Sequence, residues 1–317
     1  MSAAELTARV LQAVEELEEE LVEFLRELAP QGEGLPRTSV LGRFPGRWER
    51  PCLHLTGHYD VVPAGDGWSV DPYAAELRGG RVYGRGAADQ KSGIAAQLVA
   101  LKALLASGCR LAGSLVLSAT PDEETGGFAG LGYLVQQGLI ARDNTDFVVI
   151  TECLDVDRIC LGHRGTLWLE LETRGRQSHG SMPALGVNAI EKMLAVLGRI
   201  EAEVRPGLLL ESSHPIKPEA WARGALEGLR DRMRREDPEL DLHIREIMSV
   251  EPTLVPRDTE VVRAFQEAGL ERCIVYGPGP LEVAHQADEF QPVADLKQAT
   301  AVLALAALRL LGEEARG

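Results

Sequence analysis

The chain has 317 residues, enough for one large domain or two ordinary ones, and 45% of them are hydrophobic, as in a typical soluble globular protein. Its formal net charge of −15 argues against nucleic acid or an anionic membrane as a partner, because both require a basic surface. We expect no signal peptide and no membrane-spanning helix, since no apolar run approaches roughly 20 residues. The five cysteines are scattered without a Cys-x-x-Cys pair, which favours reduced thiols and a cytoplasmic location.

The first half of the chain alternates helices and apolar strands. An acidic amphipathic helix is predicted over residues 3–28, followed by a buried strand in "PCLHLTG". A helix in "SGIAAQLVALKALLASG", ending at Gly108, precedes a second strand in "GSLVLSAT". A short helix in "GLGYLVQQGL" then leads to a third strand in "TDFVVITEC". This order predicts an α/β domain with a parallel or mixed sheet.

The pattern changes from about Thr166. "TLWLELETRG" and "LDLHIREIMSV" alternate apolar and polar residues, as half-exposed antiparallel strands do. Amphipathic helices are predicted in "NAIEKMLAVLGRIEAEV" and "PEAWARGALEGLRDRMRRE" between them. Later, a helix in "DTEVVRAFQEAG", a strand in "RCIVYG" and a final helix in "ATAVLALAALRLLG" resemble the first half. We therefore predict a main domain of residues 1–163 and 251–317, interrupted by a small α+β insert of residues 164–250.

Possible metal ligands follow the predicted strands of the main domain. Each residue alone has an ordinary explanation, such as a helix cap or a solvated surface charge. Loops at the carboxyl ends of strands converge on one crevice in open α/β sheets, so the combination is more informative than any member. The candidates are His58 with Asp60, Asp89, Glu123 with Glu124, Glu152 and His285.

Histidine and carboxylate ligands suit zinc or a similar divalent ion. Two histidines and three carboxylates are too many for one tetrahedral catalytic ion, but they fit two ions that share a carboxylate, roughly 3.5–4 Å apart. Asp60 and Glu123 are then left over. A carboxylate two residues from a ligand histidine can accept the other ring N–H, and a glutamate beside a ligand glutamate can take a proton from water.

Six stretches carry a resemblance to a known family. They are "GHYDVVPAGDGW", "GRGAADQKSGIAA", "PDEETGG", "TEC", "SHGSMPALGVNAI" and "GPGPLEVAHQADEF". Together they resemble the M20-type metallopeptidase/deacylase family, which includes acetylornithine deacetylase, succinyl-diaminopimelate desuccinylase, aminoacylase-1 and the bacterial glutamate carboxypeptidase. The resemblance implies an α/β fold: a three-layer, zinc-peptidase-like catalytic domain with a mixed sheet, and a small inserted α+β lid or dimerisation domain, here shortened.

The resemblance also implies roles for individual residues. One ion would be held by His58, Asp89 and Glu152. The other would be held by Asp89, Glu124 and His285, with Asp89 as the bridge. Glu123 would be the general base and acid, and Asp60 would orient His58. The two ions are expected to be zinc, with cobalt or manganese as alternatives.

Two further positions match residues that contact substrate in family members. His179, in "SHGSMP", matches a histidine that reaches the active site of the partner subunit in family dimers and helps to stabilise the tetrahedral oxyanion. Arg164, in "HRGT", lies where some members have a substrate-contacting arginine, with a hinge or surface role as the alternative. The resemblance thus includes a homodimer among the expected partners.

The implied reaction is hydrolysis of an amide bond in an N-acyl amino acid or short peptide, by a metal-activated water with Glu123 as base. Two alternatives remain open. The chain could be a metal-binding homologue with little catalysis and a binding or regulatory role, or another metalloenzyme, such as an aminopeptidase.

The sequence also departs from the family pattern. It lacks the usual "IPS…PPG" segment near the N-terminus and the Asp-x-Arg of the insert, which supplies an arginine for the substrate carboxylate. A Gly-Gly-Ser/Thr-Asp loop before "RCIVYG" is absent as well. These departures concern substrate recognition, while every expected metal ligand is present.

Overall fold

The computed structural model describes residues 3–27, 37–163, 166–209, 219–250, 253–254 and 275–312. The chain divides into two compact units. The first unit is Met1–Leu161 with Val255–Gly317, and the second unit is Gly162–Leu254. Among the described residues, no helix combines the length and the hydropathy needed to cross a bilayer.

The predicted elements that lie in the described residues follow one another in the predicted order, apart from the strand predicted in "RCIVYG", where Val275 forms only isolated bridges with Ile150 and Cys160. The helices are α1 Ala3–Glu16, α2 Glu18–Glu27, α3 Ser92–Ala106, α4 Leu131–Gln136, α5 Ala189–Arg199, α6 Arg205–Leu209, α7 Glu219–Glu236 and α8 Val293–Leu311. The strands are β1 Val40–Phe44, β2 Cys52–His58, β3 Glu76–Arg78, β4 Arg81–Tyr83, β5 Ser114–Thr120, β6 Phe147–Ile150, β7 Gly162–His163, β8 Thr166–Arg174, β9 Asp241–Val250, β10 Thr253–Leu254 and β11 Phe290–Pro292.

The largest sheet of the first unit is mixed, which confirms the predicted α/β class. Its strand order is β1-β5-β2-β6. β2 runs parallel to β5 and β6, whereas β1 pairs antiparallel with β5 at one edge. Every residue of β2 is buried, as expected for a central strand in a parallel region. Because β2, β5 and β6 run in the same direction, the loops that follow them begin at the same end of the sheet.

Helices α3 and α8 pack against each other in the core of the first unit. Both are rich in alanine, whose small side chain allows close contact, and in leucine, which fills the core. Gly93, near the start of α3, lies against the backbone carbonyl of Thr151. A Cβ at this position would overlap that carbonyl, so only glycine fits. This contact fixes the first turn of α3 against the end of β6.

A second, antiparallel sheet of the first unit has the order β11-β4-β3. Phe290 of β11 pairs with Tyr83 of β4. Since β4 precedes the turn that carries Asp89, and β11 follows the loop that carries His285, this pairing brings two distant candidate ligands to one region.

The second unit is built on the antiparallel pair β8–β9, which has a β-bulge between Trp168 and Leu169. The alternating pattern predicted for both strands is confirmed. A separate small core, which packs between the strands and helices α5 and α7, includes Val196, Val204, Leu229, Met233, Leu240 and Leu242. α5 begins at Asn188, whose side-chain oxygen accepts the N–H of Ile190 at 3.0 Å, as an N-cap residue does.

Three further details differ from the predictions or fall outside the described residues. The single helix predicted over residues 3–28 is divided at Leu17 into α1 and α2. His285 follows a short 3₁₀ turn, Leu281–Val283, rather than a strand. The helix predicted in "DTEVVRAFQEAG" lies outside the described residues.

Candidate metal centre

His58, the last residue of β2, is held through both ring nitrogens. Its Nδ1 lies 2.9 Å from the backbone oxygen of Asp60 and 3.4 Å from the Asp60 carboxylate. Its Nε2 lies 3.1 Å from Oδ1 of Asp89. With Nδ1 engaged by an oxygen acceptor, Nε2 is the nitrogen available to a ligand.

Asp60 also binds a second loop, a contact that was not predicted from the sequence. Its two carboxylate oxygens accept the backbone N–H groups of Glu123 and Glu124, each at 3.2 Å. The aspartate therefore ties the loop after β2 to the loop after β5 while it faces His58. Its pKa is held below the usual value: burial opposes this, but the hydrogen bond and charge of His58 and the two N–H donors outweigh it.

Asp89 lies between the two histidines. Its Oδ1 faces Nε2 of His58, and its Oδ2 lies 3.2 Å from Nε2 of His285. His285 also lies 3.2 Å from Oε1 of Glu124. The Asp89–Gln90 peptide bond is cis. One carboxylate that offers an oxygen to each of two imidazoles has the arrangement expected of a bridging ligand.

The two remaining glutamates approach His58 from different directions. Oε2 of Glu152 lies 3.7 Å from Nε2 of His58 and accepts a hydrogen bond from the Gln90 amide at 2.7 Å. Oε2 of Glu123 also lies 3.7 Å from Nε2 of His58, but its side chain is 57% exposed, against 23% for Glu152. Glu123 thus faces the open side of the cluster, where a substrate or water can reach it.

The electrostatics of the cluster favour a bound cation. Burial and the negative charge of Asp89 raise the pKa of Glu152 to about 8. Burial also raises the pKa values of Glu123 and Glu124. Burial opposes protonation of His58, yet its hydrogen bonds to Asp60 and Asp89 and the charge of Glu152 raise its pKa to about 11. Carboxylates outnumber imidazoles here, so protons or divalent cations are needed to offset the charge.

In the part of the chain that the structure describes, two sets of side chains place their ligand atoms within 4.8 Å of one another. One set is His58, Asp89 and Glu124, and the other is Asp89, Glu152 and Cys153. Asp89 belongs to both sets. Imidazole nitrogen and carboxylate oxygen are suitable zinc donors, so the residues present fit the ions that the sequence implies.

A buried ion pair supports the turn that carries Asp89. Oε1 of Glu289 accepts the N–H groups of Ala88 at 3.0 Å and Asp89 at 3.1 Å. Its other oxygen pairs with Arg85, which also donates to the backbone oxygen of Ala64 at 3.1 Å. Sequence reasoning missed this pair, although a glutamate in the same motif as His285, "HQADEF", was a signal that could have identified it.

The remaining site predictions lie elsewhere. Arg164 falls outside the described residues. His179 belongs to the second unit, where it is exposed and its Nδ1 accepts the N–H of Ser181 at 3.2 Å. The Oγ of Ser181 lies 2.8 Å from the same nitrogen. With Nδ1 acting as an acceptor, the neutral ring carries its proton on Nε2.

Comparison with known proteins identifies the family of the chain. The model described as "Peptidase family M20/M25/M40" matches residues 54–309. Succinyl-diaminopimelate desuccinylase of Parvibaculum lavamentivorans is 38% identical over 161 residues, which cover 49% of this chain and 40% of that protein. The enzyme of the same name from Sulfurimonas denitrificans is 42% identical over 146 residues, covering 44% and 38%. The matched residues span less than half the length of these two relatives.

Solved structures show the same fold at low identity. Human carnosine dipeptidase 1 has a TM-score of 0.74 and 16% identity, with 96% of this chain and 99% of that chain covered. The di-peptidase Dug1p of Saccharomyces cerevisiae has a TM-score of 0.77 and 13% identity, with 96% and 98% covered. At these identities the likeness concerns the fold alone.

Proposed function

The chain belongs to peptidase family M20/M25/M40, and on this premise we propose that it hydrolyses an amide bond of N-acyl amino acids or short peptides with two divalent metal ions. The observation that carries the proposal is the position of Asp89, whose two oxygens face His58 and His285 at 3.1 and 3.2 Å. One carboxylate that faces two imidazoles is the arrangement that two ions sharing a carboxylate require.

We assign one ion to His58, Asp89 and Glu152 and the other to Asp89, Glu124 and His285. The support is the convergence of these side chains from β2, β5, β6 and two further loops. When bound, the ions would polarise the scissile carbonyl and lower the pKa of water toward about 7. Zinc is the ion we propose, with cobalt and manganese as alternatives.

Glu123 is the residue we propose as general base and acid. The Asp60 carboxylate accepts the backbone N–H of Glu123, which fixes the backbone position of Glu123. The Glu123 carboxylate lies on the open side of the cluster. Its Oε2 would accept the proton of the attacking water and then donate it to the nitrogen of the leaving amine. The raised pKa of Glu123 suits a carboxylate that must take up and release a proton.

His179 is proposed to stabilise the oxyanion in the active site of a second copy of the chain. A proton on Nε2 makes that nitrogen a hydrogen-bond donor, which is the property such a role requires. The second unit also has an apolar stripe that a second copy could cover. The stripe lies on α5 at helical spacing and comprises Ile190, Leu194 and Leu197, which are 72%, 63% and 48% exposed.

The desuccinylase names of the 38–42% identical relatives support a substrate class for this chain. We propose N-acylated amino acids, with N-succinyl compounds first, and dipeptides second. Release of an acyl group from an amino acid leaves a free amine, which is the product that Glu123 is positioned to protonate.

The test is hydrolysis of a panel of N-succinyl and N-acetyl amino acids and dipeptides by protein loaded with zinc or cobalt. A Glu123→Gln variant should bind both ions and lose about 10²- to 10⁴-fold in kcat, because the amide cannot accept the proton. Absence of turnover by fully loaded wild type would favour the binding-protein alternative. Near wild-type activity of loaded Glu123→Gln would rule out this base.

A further inference from the structure

Gln90 is a buried amide between two proposed metal ligands. It follows Asp89 directly in the turn before α3, and only 1% of its surface is exposed. Its Nε2 donates to Oε2 of Glu152 at 2.7 Å, and its Oε1 accepts the hydroxyl of Thr151 at 3.3 Å. Neither the resemblance nor the proposed mechanism gives this side chain a role.

The neighbours of the Gln90 amide determine which way it points. A carboxylate that binds a metal is ionised and can only accept, so the NH₂ group faces Glu152 and the amide oxygen faces the Thr151 hydroxyl. That oxygen has space because residue 57 is glycine. A Cβ at Gly57 would lie 2.5 Å from Oε1 of Gln90 and 3.0 Å from Oγ1 of Thr151. Gly57 directly precedes His58, so the amide is enclosed between the ends of β2 and β6.

Glu152 is held at both of its carboxylate oxygens. Oε1 accepts the backbone N–H of Cys153 at 3.1 Å, and Oε2 accepts the Gln90 amide. Oε2 keeps a second lone pair, and it lies 3.7 Å from Nε2 of His58. Neighbouring nitrogen and oxygen ligands of a tetrahedral zinc ion are about 3.4 Å apart, given bonds of about 2.0–2.2 Å. Gln90 therefore holds one oxygen of Glu152 close to the spacing that a shared ion needs.

We propose that Gln90 is a positioning residue, which holds Oε2 of Glu152 toward the ion that Glu152 shares with His58. The inference rests on the proposed two-metal function and adds a residue that supports one of its two sites. A group that hydrogen-bonds a metal ligand fixes its orientation, and loss of such a group costs about 10- to 100-fold in metal affinity. The other proposed site does not include Glu152, so the support is specific to one ion. The alternative is a buried amide that serves packing alone.

The test is a chelator competition that measures the affinity of each of the two zinc ions. Gln90→Met keeps the length of the side chain and removes both of its hydrogen bonds. The affinity of one ion should fall by about 10- to 100-fold, while the affinity of the other stays close to that of wild type. With two cobalt ions bound, the visible absorption should change as well, because the ligand geometry around one ion relaxes.

Gln97→Met is the matched control. Gln97 is an equally buried amide of α3, with 1% of its surface exposed, and its Nε2 donates to the backbone oxygen of Ser118 at 3.3 Å. Its hydrogen bond does not involve a proposed ligand, so both zinc affinities and the cobalt spectrum should match those of wild type. Urea unfolding should show a loss of stability in Gln90→Met and in Gln97→Met, because each removes a hydrogen bond from the interior.

The outcomes separate this inference from the function on which it rests. Unchanged affinity for both ions in folded Gln90→Met would overturn the proposal and leave the two-metal function standing. An equal loss at both sites would also overturn it, because it would indicate a general loosening of the centre. Failure of wild type to bind two zinc ions would overturn the proposed function together with this inference.

A crystal structure of zinc-loaded wild type tests the same point without a variant, should Gln90→Met not fold. The Gln90 amide nitrogen should lie within about 3.2 Å of Oε2 of Glu152, and that oxygen should bind the ion. An amide turned away from Glu152, or an ion bound only through Oε1, would refute the inference.

Discussion

The two compact units use charge differently. In the first unit, Arg85 and Glu289 pair in the interior, with 1% and 0% of their side chains exposed. In the second unit, Arg245 and Glu170 pair across β8 and β9 at 2.8 Å, with 66% and 51% exposed. A buried pair cannot exchange its partner for water, so it fixes the groups that it touches, whereas an exposed pair can. The buried pair of the first unit therefore positions part of a site, whereas the exposed pair of the second unit covers a surface.

Removal of the shared carboxylate should have the largest effect. Asp89→Ala should lose both ions together, because Asp89 is a proposed ligand of each. Loss of a residue that only supports a ligand costs roughly 100-fold in activity, and the loss in Asp89→Ala should be larger. Metal content by mass spectrometry, measured beside Asp157→Ala as an exposed control, checks the result. Retention of one tightly held ion in Asp89→Ala would contradict the bridging role.

Breaking the buried ion pair should have the next largest effect. Glu289→Gln leaves Arg85 buried without its counter-charge, which should lower the free energy of unfolding by about 3–5 kcal/mol. The turn that carries Asp89 also loses a charged acceptor, so metal affinity should fall by about 10- to 100-fold.

A double variant separates the two contributions. Arg85→Met with Glu289→Gln removes both charges and should be more stable than Glu289→Gln alone. Urea unfolding and chelator competition measure both quantities. Equal stability of wild type and Glu289→Gln would refute the predicted stability loss, and equal metal affinity would show that the pair has no role in positioning.

A buried histidine of the first unit should make stability depend on pH. His54 is fully buried in β2, its Nε2 lies 2.8 Å from Oγ of Ser118, and burial lowers its pKa to about 4. In the unfolded chain the ring takes up a proton near pH 6.5, whereas in the folded chain it does so only near pH 4. Stability should therefore fall by about 3 kcal/mol as the pH drops through this window.

The variant His54→Gln keeps a hydrogen-bonding side chain without the titration. Urea unfolding of the metal-free proteins at pH 7 and pH 4 should show a smaller loss of stability in His54→Gln than in wild type. The other titrating groups cancel in this difference. Identical losses in the two proteins would refute the prediction.

A substitution in the apolar stripe on α5 of the second unit tests the proposed dimer. Leu194→Glu places a charge at its centre and should weaken self-association by about 10- to 100-fold, given roughly 1.5–3 kcal/mol for one buried leucine. Light scattering across a concentration series measures the effect, with Leu105→Glu as control, because Leu105 is an exposed residue of α3 in the first unit. A wild type that is monomeric at every concentration would exclude the dimer and the proposed role of His179.

The exposed ion pair of the second unit should matter least. Arg245→Gln removes the partner of Glu170 where both side chains remain in water, so the unfolding midpoint should stay within experimental error of wild type. A clear shift in that midpoint would contradict the difference between the buried ion pair of the first unit and the exposed pair of the second.

Much of the fold and the site could be predicted from the sequence. Local sequence patterns are enough to predict β2, α3, β8 and β9, because helix and strand periodicity depends on residues that are close in the chain. The ligand candidates His58, Asp89 and Glu152 stand beside glycines and strand ends in short motifs, so residue type and order alone identified them. The mixed sheet and membership of the M20/M25/M40 family agree with those motifs.

The tertiary structure decided how these residues are held. Glu289 reaches the turn before Asp89 from about 200 positions away, Asp60 binds the backbone of Glu123, and Cys153 faces two carboxylates. Helix and strand periodicity predicts none of these contacts, because each depends on which loops the sheet brings to its carboxyl end. The sequence by itself determined which chemical groups this protein has for its reaction. Folding determined which of them lie close enough to share the proposed metal ions, which support those residues and which remain on the surface, since charge and distance act through space rather than along the chain.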